Sequence, residues 1–248
     1  MTSLPKMMMA CRVSAFGPPS AIAFEQIPVP TPGEGEVLVR VHAAGVGPWD
    51  GWIRSGKSAL PQPLPLTLGS DLAGIVELVR PGVDGFKPGD PVFGVTNPRF
   101  TGAYAEYAIA SAAMIARKPA DLDFVDAASV PVVAVTAWQA LFDEAKLAKG
   151  QSVLIHGGTG NVGAYAIQLA HEAGLEVVAT VGPDDVTVAK ALGADQVVDS
   201  CLSGFRTQPQ HVVRGHRPSL EVKHLFVRQT LLCYIATNNA VSQLVNRA

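Results

Sequence analysis

The sequence predicts an α/β fold in which a small β-barrel precedes part of a doubly wound parallel sheet. Up to about residue 118, short apolar strands alternate with Gly/Pro turns, a pattern typical of a barrel or sandwich. From residue 121 to 200, strands alternate with helical periods, as in a sheet of parallel strands. A glycine-rich turn joins one of these strands to the helix that follows it.

The barrel strands are predicted from apolar runs that lie between turn sequences. They cover residues 36–42, 71–79, 90–95 and 103–110. The turns between them carry the Pro and Gly residues that reverse a chain, at 32–35, 80–82 and 87–90. A single helix is expected in this part, over residues 49–55.

The second part begins with a helical pattern over residues 124–142, in which Pro131 predicts a kink or a division into two helices. Parallel strands are then expected at 153–155, 176–180 and 196–199, with a helix in each crossover. The first helix is expected to end near Gly174, and the second to be capped by Asp184 or Asp185. We therefore divide the chain into a barrel domain at 1–120, a partial nucleotide-binding sheet at 121–200 and an atypical segment at 201–248.

The last segment differs in composition from the rest of the chain. Residues 201–248 contain six Lys or Arg residues and one acid, Glu221, and the strand–helix rhythm stops at Ser200. Foreign sequence joined to a shortened sheet is one interpretation, and a basic tail that binds polyanions is another. Residues 224–245 are apolar enough to predict a helix that covers an exposed sheet face. The open edge at the third parallel strand would favour association with another chain.

Composition argues against several classes of protein. A net charge of −2 is unlike that of a general nucleic-acid binder, so no nucleic-acid partner is expected. Three widely spaced cysteines, Cys11, Cys201 and Cys233, fit neither a disulfide scaffold nor a zinc knuckle. No apolar run has the length that spans a bilayer, so no membrane partner is expected and the cytoplasm is the default location.

The glycine-rich turn carries the strongest functional signal. Gly158, Gly160 and Gly163 have the G-x-G-x-x-G spacing between a predicted strand and a predicted helix. In this pattern the first glycine permits a tight turn, the second admits a diphosphate, and the third lets helix and strand pack closely. The alternative is an ordinary strand–helix turn. The predicted cofactor-binding residues of the turn are Gly158, Thr159, Gly160, Asn161, Val162 and Gly163.

With these motifs in order, the chain resembles the medium-chain dehydrogenase/reductase superfamily, in its zinc-free quinone oxidoreductase-like branch. The resemblance runs from about residue 29 to 199. It implies a GroES-like barrel followed by a Rossmann domain, with hydride transfer from a nicotinamide cofactor to a quinone, enone or similar carbonyl compound. The segments that carry it are 34–41, 43–50, 53–56, 69–74, 102–107, 136–141, 157–163 and 192–195.

Two departures from the family pattern qualify this expectation. Zinc-dependent relatives carry a cysteine within 43–50 and a histidine where Ser70 stands, so no metal is expected here. Relatives also continue after the third parallel strand with segments that complete the nicotinamide site and a dimer interface. A truncated, catalytically impaired relative that binds a dinucleotide or a partner is therefore the alternative function, and a homodimer stays a candidate assembly.

The end of the second parallel strand bears on the choice of cofactor. No acid stands in 179–182, which favours NADP, while Asp184 and Asp185 just beyond keep NAD open. Thr180 and Val181 are predicted to contact the cofactor from this strand end. Thr136 matches a family position near the cofactor, although a helix threonine that bonds back to a carbonyl is an equal alternative.

The candidate catalytic residues lie in the barrel domain. The loop at 47–52 is predicted to line the substrate site, with Asp50 and Trp52 as its candidates. Trp49 and Trp52 could flank a flat, conjugated substrate, the alternative being plain core aromatics. Tyr104 is a candidate proton donor or substrate-orienting hydroxyl, the alternative being a tyrosine that only fixes the barrel. Relatives often place asparagine where Gly47 stands. Water could supply the proton, leaving the protein to position the nicotinamide and a small-molecule acceptor.

Overall fold

The computed structural model describes residues 4–200 and the backbone of residues 235–237. The chain divides into two compact units, Met1–Val132 (unit 1) and Val133–Ala248 (unit 2). The limits of 1–120, 121–200 and 201–248 drawn from the sequence stay a prediction.

Unit 1 is built from two antiparallel sheets. One has five strands in the order β7-β3-β5-β6-β8, and the other has three in the order β2-β1-β4. An isolated bridge between Ala10 and Ala105 joins them. The strands are β1 Met7–Val13, β2 Ile22–Pro28, β3 Glu36–Ala44, β4 Leu66–Thr67, β5 Asp71–Val79, β6 Pro91–Val95, β7 Tyr107–Ser111 and β8 Ile115–Arg117.

Buried aliphatic side chains hold the larger sheet together. Val37 and Val39 on β3 belong to the same core cluster as Leu72 and Val76 on β5, and all four are at most 1% exposed. The neighbouring Leu38 and Ala73 are at most 1% exposed as well, so both faces of these strands are buried along this stretch. Removal of this apolar surface from water is the main stabilising contribution in unit 1.

The predicted strands at 36–42, 71–79 and 90–95 are confirmed, whereas the fourth begins at Tyr107 rather than at residue 103. The backbone of 103–106 instead bonds to loops and to other strands, as in the bond from Ala103 N to the Gly69 carbonyl at 2.9 Å. Four strands, β1, β2, β4 and β8, were not predicted. Most β2 residues are exposed, so its sequence lacks the apolar alternation that reveals a half-buried strand.

The helices of the first half lie close to their predicted places. Helix α1 spans Pro48–Arg54 and α2 spans Phe124–Ala128. Helix α3 spans Pro131–Trp138 and continues as a π-helical turn over Gln139–Glu144. The predicted division at Pro131 is confirmed, because proline lacks the amide that a helix interior needs and fits the first helical position.

Unit 2 contains a parallel sheet with a helix in each crossover. Strands β9 Ser152–His156, β10 Glu176–Val181 and β11 Gln196–Asp199 pair in parallel, with β10 in the middle. Helix α4 Asn161–Glu172 follows β9, and α5 Val186–Ala191 follows β10. This is half of a doubly wound sheet, so the predicted fold class, a β-barrel domain with a partial parallel sheet, is confirmed.

One prediction for the last segment is wrong where the structure describes it. Residues Ile235–Thr237 form β12, antiparallel to β9, instead of part of a helix over 224–245. The open edge of β9 offers backbone partners that a local sequence pattern does not reveal. The remaining predictions for 201–248, including the polyanion-binding tail, lie outside the described residues.

Candidate functional site

The glycine-rich turn leaves β9 at His156 and enters α4 at Asn161. Gly157 makes the tight turn with a φ of +72°, a value that L side chains rarely adopt. The expectation that Gly158 makes this turn is wrong. The G-x-G-x-x-G motif starts at Gly158, one residue after the tight turn at Gly157. Gly158 N donates to the Thr180 carbonyl of β10 at 2.9 Å.

Three glycines of the turn differ in the space around them. A Cβ on Gly158 would lie 2.9 Å from the side chains of Ala179 and Ile167, so this glycine lets strand and helix approach closely. A Cβ on Gly163 would lie 2.2 Å from the Gly157 carbonyl oxygen. Gly160 is exposed, and its Cβ would meet only that same oxygen, at 3.2 Å. The open face of the turn is therefore at Gly160.

The start of α4 supplies amide donors at this open face. The first helical bond runs from Ala164 N to the Gly160 carbonyl at 2.9 Å. The amides of Asn161, Val162 and Gly163 precede it and therefore have no intrahelical acceptor. Amides at a helix N-terminus, together with the helix dipole, favour an anion. The residues present thus fit a diphosphate group.

Thr180 and Val181 are more deeply placed than a ligand contact requires. Thr180 is fully buried, and its Oγ1 lies 2.5 Å from His156 Nδ1 and accepts from Gly157 N at 3.2 Å. Val181 is 2% exposed. The Thr180 side chain thus fixes the turn between neighbouring parallel strands, and its predicted contact with a cofactor stays a prediction.

Two further predicted cofactor-binding residues, Thr159 and Thr136, also lie in unit 2. Thr159, in the middle of the turn, donates from Oγ1 to Asp185 Oδ2 at 2.8 Å. Thr136 lies half-buried in α3, and its predicted contact with the cofactor stays a prediction.

The candidate catalytic residues Asp50 and Tyr104 lie together in unit 1. Asp50 is 5% exposed, and its Oδ2 accepts from Gly47 N at 2.8 Å and from Tyr104 Oη at 2.9 Å. The same hydroxyl also lies 3.2 Å from the Gly45 carbonyl. Gly69, with a φ of +92°, lets the Tyr104 ring lie against the backbone, since a Cβ there would lie 2.3 Å from Cδ1.

A second network beside it was missed from the sequence. Trp49 Nε1 donates to Ser70 Oγ at 2.7 Å, and the Ser70 hydroxyl donates to Asp71 Oδ2. Asp71 Oδ1 accepts from Val132 N at 2.7 Å, so this carboxyl caps the first turn of α3 from β5. The partners are 21 and 61 residues apart, and only the polar pair Ser70–Asp71 before an apolar strand could have drawn attention to it.

The Trp49 ring occupies the space that a side chain at position 47 would need. A Cβ on Gly47 would lie 2.2 Å from Trp49 Cζ2. The glycine that stands where relatives often have asparagine is therefore matched to this indole. Trp52 is half-buried in α1, where its carbonyl accepts from Lys57 N at 2.8 Å. Its predicted contact with a substrate stays a prediction.

Burial dominates the electrostatics of these groups. It raises the pKa of Asp50 above the ordinary 3.8, and the bonds from Gly47 and Tyr104 offset this only in part. Burial likewise raises the pKa of Asp71, which the nearby Asp50 charge raises further. Burial and the Asp50 carboxylate together raise the pKa of Tyr104 well above its usual range. Tyr104 therefore holds its proton firmly in the folded protein.

Among residues 4–200, no three His, Cys, Asp or Glu side chains are grouped so that they could hold a metal ion. His42 lies on β3, as expected, and its ring stacks on Phe124 with centroids 4.4 Å apart. In the same range, the helices all fall short of the length and apolar character that a membrane crossing requires.

Residues 33–120 match the family described as Alcohol dehydrogenase GroES-like domain. Quinone oxidoreductase from Homo sapiens is 41% identical over 181 residues, which are 73% of this chain and 54% of the human protein. A 2-methylene-furan-3-one reductase from Solanum lycopersicum is 36% identical over 217 residues, 84% of this chain and 56% of that protein. The chain thus spans about half the length of the curated relatives it matches.

Solved structures agree with these sequence matches. A quinone oxidoreductase from Coxiella burnetii superposes with a TM-score of 0.73 at 38% identity, covering 79% of this chain and 63% of that one. A mycobacterial protein solved in complex with NADPH gives a TM-score of 0.69 at 36% identity, covering 77% and 58%.

Proposed function

Since the chain belongs to the medium-chain dehydrogenase/reductase superfamily, in its quinone oxidoreductase-like branch, we propose that it is an oxidoreductase. Its proposed reaction is zinc-independent hydride transfer from NADPH to a quinone, enone or similar carbonyl compound. The observation that carries this proposal is the glycine-rich turn, whose open face at Gly160 adjoins the amides at the start of α4. The mycobacterial relative bound to NADPH supports the choice of dinucleotide.

In this proposal the chain's own groups bind and orient. The amides of Asn161, Val162 and Gly163 hold the diphosphate. The Thr180 hydroxyl, on the neighbouring strand β10, holds the glycine-rich turn in place through His156 and Gly157. Bound NADPH would supply the hydride. NADP is favoured over NAD because Thr180 and Val181 place no acid at the end of β10.

Zinc independence is supported by how the polar groups near Ser70 are used. Ser70 Oγ accepts from Trp49 and donates to Asp71, and both oxygens of Asp71 accept hydrogen bonds. A metal would have to break these bonds before it could gain ligands here. Donors on the protein would then polarise the acceptor carbonyl.

Tyr104 and Asp50 are assigned as positioning residues for the loop at 45–50. The Tyr104 hydroxyl is committed to Asp50 and lies near the Gly45 carbonyl, and its raised pKa makes it a reluctant proton donor. Asp50 in turn fixes the Gly47 amide at the start of α1. In this assignment water supplies the proton, and Trp52 stays a candidate lining residue.

The test is binding and turnover by the full chain. We expect NADPH to bind, to raise the thermal unfolding temperature and to be oxidised when a benzoquinone is added. Gly160→Val should abolish binding without changing far-ultraviolet circular dichroism. Gly33→Val is the matched control, because Gly33 is exposed in unit 1 and its Cβ would make only an ordinary contact at 3.4 Å.

Absence of binding by the wild-type chain would contradict the proposal. Binding without turnover would instead support the alternative, a catalytically impaired relative that acts as a dinucleotide- or partner-binding module. A homodimer, measured by sedimentation, and a cytoplasmic location belong to the same proposal.

A further inference from the structure

A side-chain hydrogen bond ties the connection between β10 and α5 to the glycine-rich turn. Thr159 Oγ1 donates to Asp185 Oδ2 at 2.8 Å across 26 residues of sequence. Thr159 stands between Gly158 and Gly160, and Asp185 ends the short 3₁₀ turn Pro183–Asp185. Both side chains are partly buried, so this bond is better shielded than a fully exposed one.

The charge in this connection is wholly negative. Residues 182–186 read Gly-Pro-Asp-Asp-Val, with two carboxylates and no basic side chain. Lys190, the basic residue of α5, is exposed in the last turn of that helix. The Thr159 hydroxyl therefore holds a carboxylate beside the turn whose amides would receive a diphosphate.

The position of the connection also matters. In sheets of this kind, the segment after the second strand lies near the adenosine ribose, which carries the additional phosphate of NADP. Asp185 follows Val181, the last residue of β10, by four positions. An anion held there opposes a second anion nearby, and the opposition grows with the charge of the ligand.

We propose that Thr159 and Asp185 form a latch that fixes the β10–α5 connection against the glycine-rich turn. The Asp185 carboxylate held by this latch lowers the affinity of the site for the more highly charged dinucleotide, NADP, more than for NAD. This inference rests on the proposed function, since it concerns the same dinucleotide site. It makes Asp185 a specificity-determining residue and Thr159 a positioning residue that acts through it.

The charge effect is tested by dissociation constants for NADP⁺ and NAD⁺, measured by calorimetry on the full chain. Asp185→Asn keeps an oxygen that accepts from Thr159 and removes the charge. We expect it to tighten NADP⁺ binding by about three- to ten-fold and NAD⁺ binding by less. Asp184→Asn is the matched control, because it removes the neighbouring exposed charge. It should change either constant by less than about two-fold.

Equal increases in NADP⁺ affinity in Asp184→Asn and Asp185→Asn would overturn the proposal, because the net charge of the chain would then explain both. Unchanged or weaker NADP⁺ binding by Asp185→Asn would also overturn it. If the wild-type chain binds neither dinucleotide but Asp185→Asn binds NADP⁺, the inference is supported. If neither protein binds, the charge effect fails together with the proposed function.

The latch has a separate readout that needs no dinucleotide. Thr159→Val, Asp185→Ala and the double variant are compared by chemical unfolding of the full chain. Two groups that act through one bond should give a double variant whose unfolding equilibrium constant nearly equals that of either single variant. Effects that multiply would show that the two side chains act independently and would overturn the latch. The unfolding experiment therefore tests the latch independently of whether the chain binds a dinucleotide.

Discussion

Replacement of Asp50 by alanine should expose the role of the buried carboxyl in unit 1. Oδ2 of Asp50 accepts from Gly47 N and Tyr104 Oη at 2.8 and 2.9 Å. Alanine leaves the Gly47 amide without this acceptor, while Tyr104 retains only its longer contact with the Gly45 carbonyl. A buried donor without a partner costs about 1–3 kcal/mol. With the second bond included, we expect the free energy of unfolding to fall by about 2–4 kcal/mol.

Asp50→Asn is the matched variant, because its amide oxygen can still accept both bonds without a charge. The wild-type pKa of Asp50 is raised above 3.8 by burial, so the folded state binds more protons than the unfolded state between 3.8 and the raised value. Stability from this group is therefore complete below about pH 4 and is lost as the pH rises through the raised pKa. Each unit of that shift corresponds to about 1.4 kcal/mol.

We therefore expect the asparagine variant to match the wild type near pH 4 and to exceed it at pH 7. The assay is urea unfolding followed by tryptophan fluorescence in a Trp138→Phe background, where the remaining Trp49 and Trp52 both report on unit 1. Asp71 also has a raised pKa, to which the Asp50 charge contributes, so its titration changes when that charge is removed and adds to the expected difference in the same direction. Equal stability of wild type and asparagine variant from pH 4 to 8 would refute this reasoning, as would an alanine variant as stable as asparagine.

Two further predictions concern the glycine-rich turn. Gly163→Ala would bring a methyl group to 2.2 Å from the Gly157 oxygen, so we expect dinucleotide binding to be lost and the unfolding free energy of unit 2 to fall by about 1–3 kcal/mol, measured by calorimetry and urea unfolding. Normal binding by this variant would contradict the close approach seen here. Thr180→Val removes the partner of His156 Nδ1 and Gly157 N and should cost about 1–2 kcal/mol, with faster amide exchange at residue 157. Unchanged exchange there would mean that the hydroxyl does not hold the turn.

The glycine-rich turn was predictable because its signals are local. A buried strand, a run of glycines and a 3.6-residue period follow one another, and β9 and α4 lie where these patterns end. The spacing rule does not specify backbone angles, so it assigned the tight turn to Gly158 rather than Gly157. The bond between Thr159 and Asp185 was equally hidden, since it depends on how two loops meet at the end of a sheet.

In unit 1, too, the features that the sequence did not predict depend on contacts between distant segments. Apolar runs between turn sequences revealed β3 and β5, whereas β4, two residues long, depends on pairing with β1 rather than on a pattern of its own. The contact of Asp71 with Val132 joins residues 61 positions apart, and no sequence period of helix or strand reports such a distance. The resemblance to a family placed Ser70 at a position of interest but did not indicate that Trp49 would bind it.

The buried Oδ1 of Asp50, which has no hydrogen-bond partner, and the raised pKa of this carboxyl have the same cause, which is burial. Oδ1 is buried and has no hydrogen-bond partner within normal geometry, although the Gly69 amide is near enough to lower the pKa of the group. A carboxylate with a bare buried oxygen is costly, and a neutral acid is much less so. Burial therefore favours the protonated form of Asp50 more than water would. A protonated Asp50 can still accept from Gly47 and Tyr104 through Oδ2, so the start of α1 keeps its hydrogen bond whether or not this carboxyl is charged.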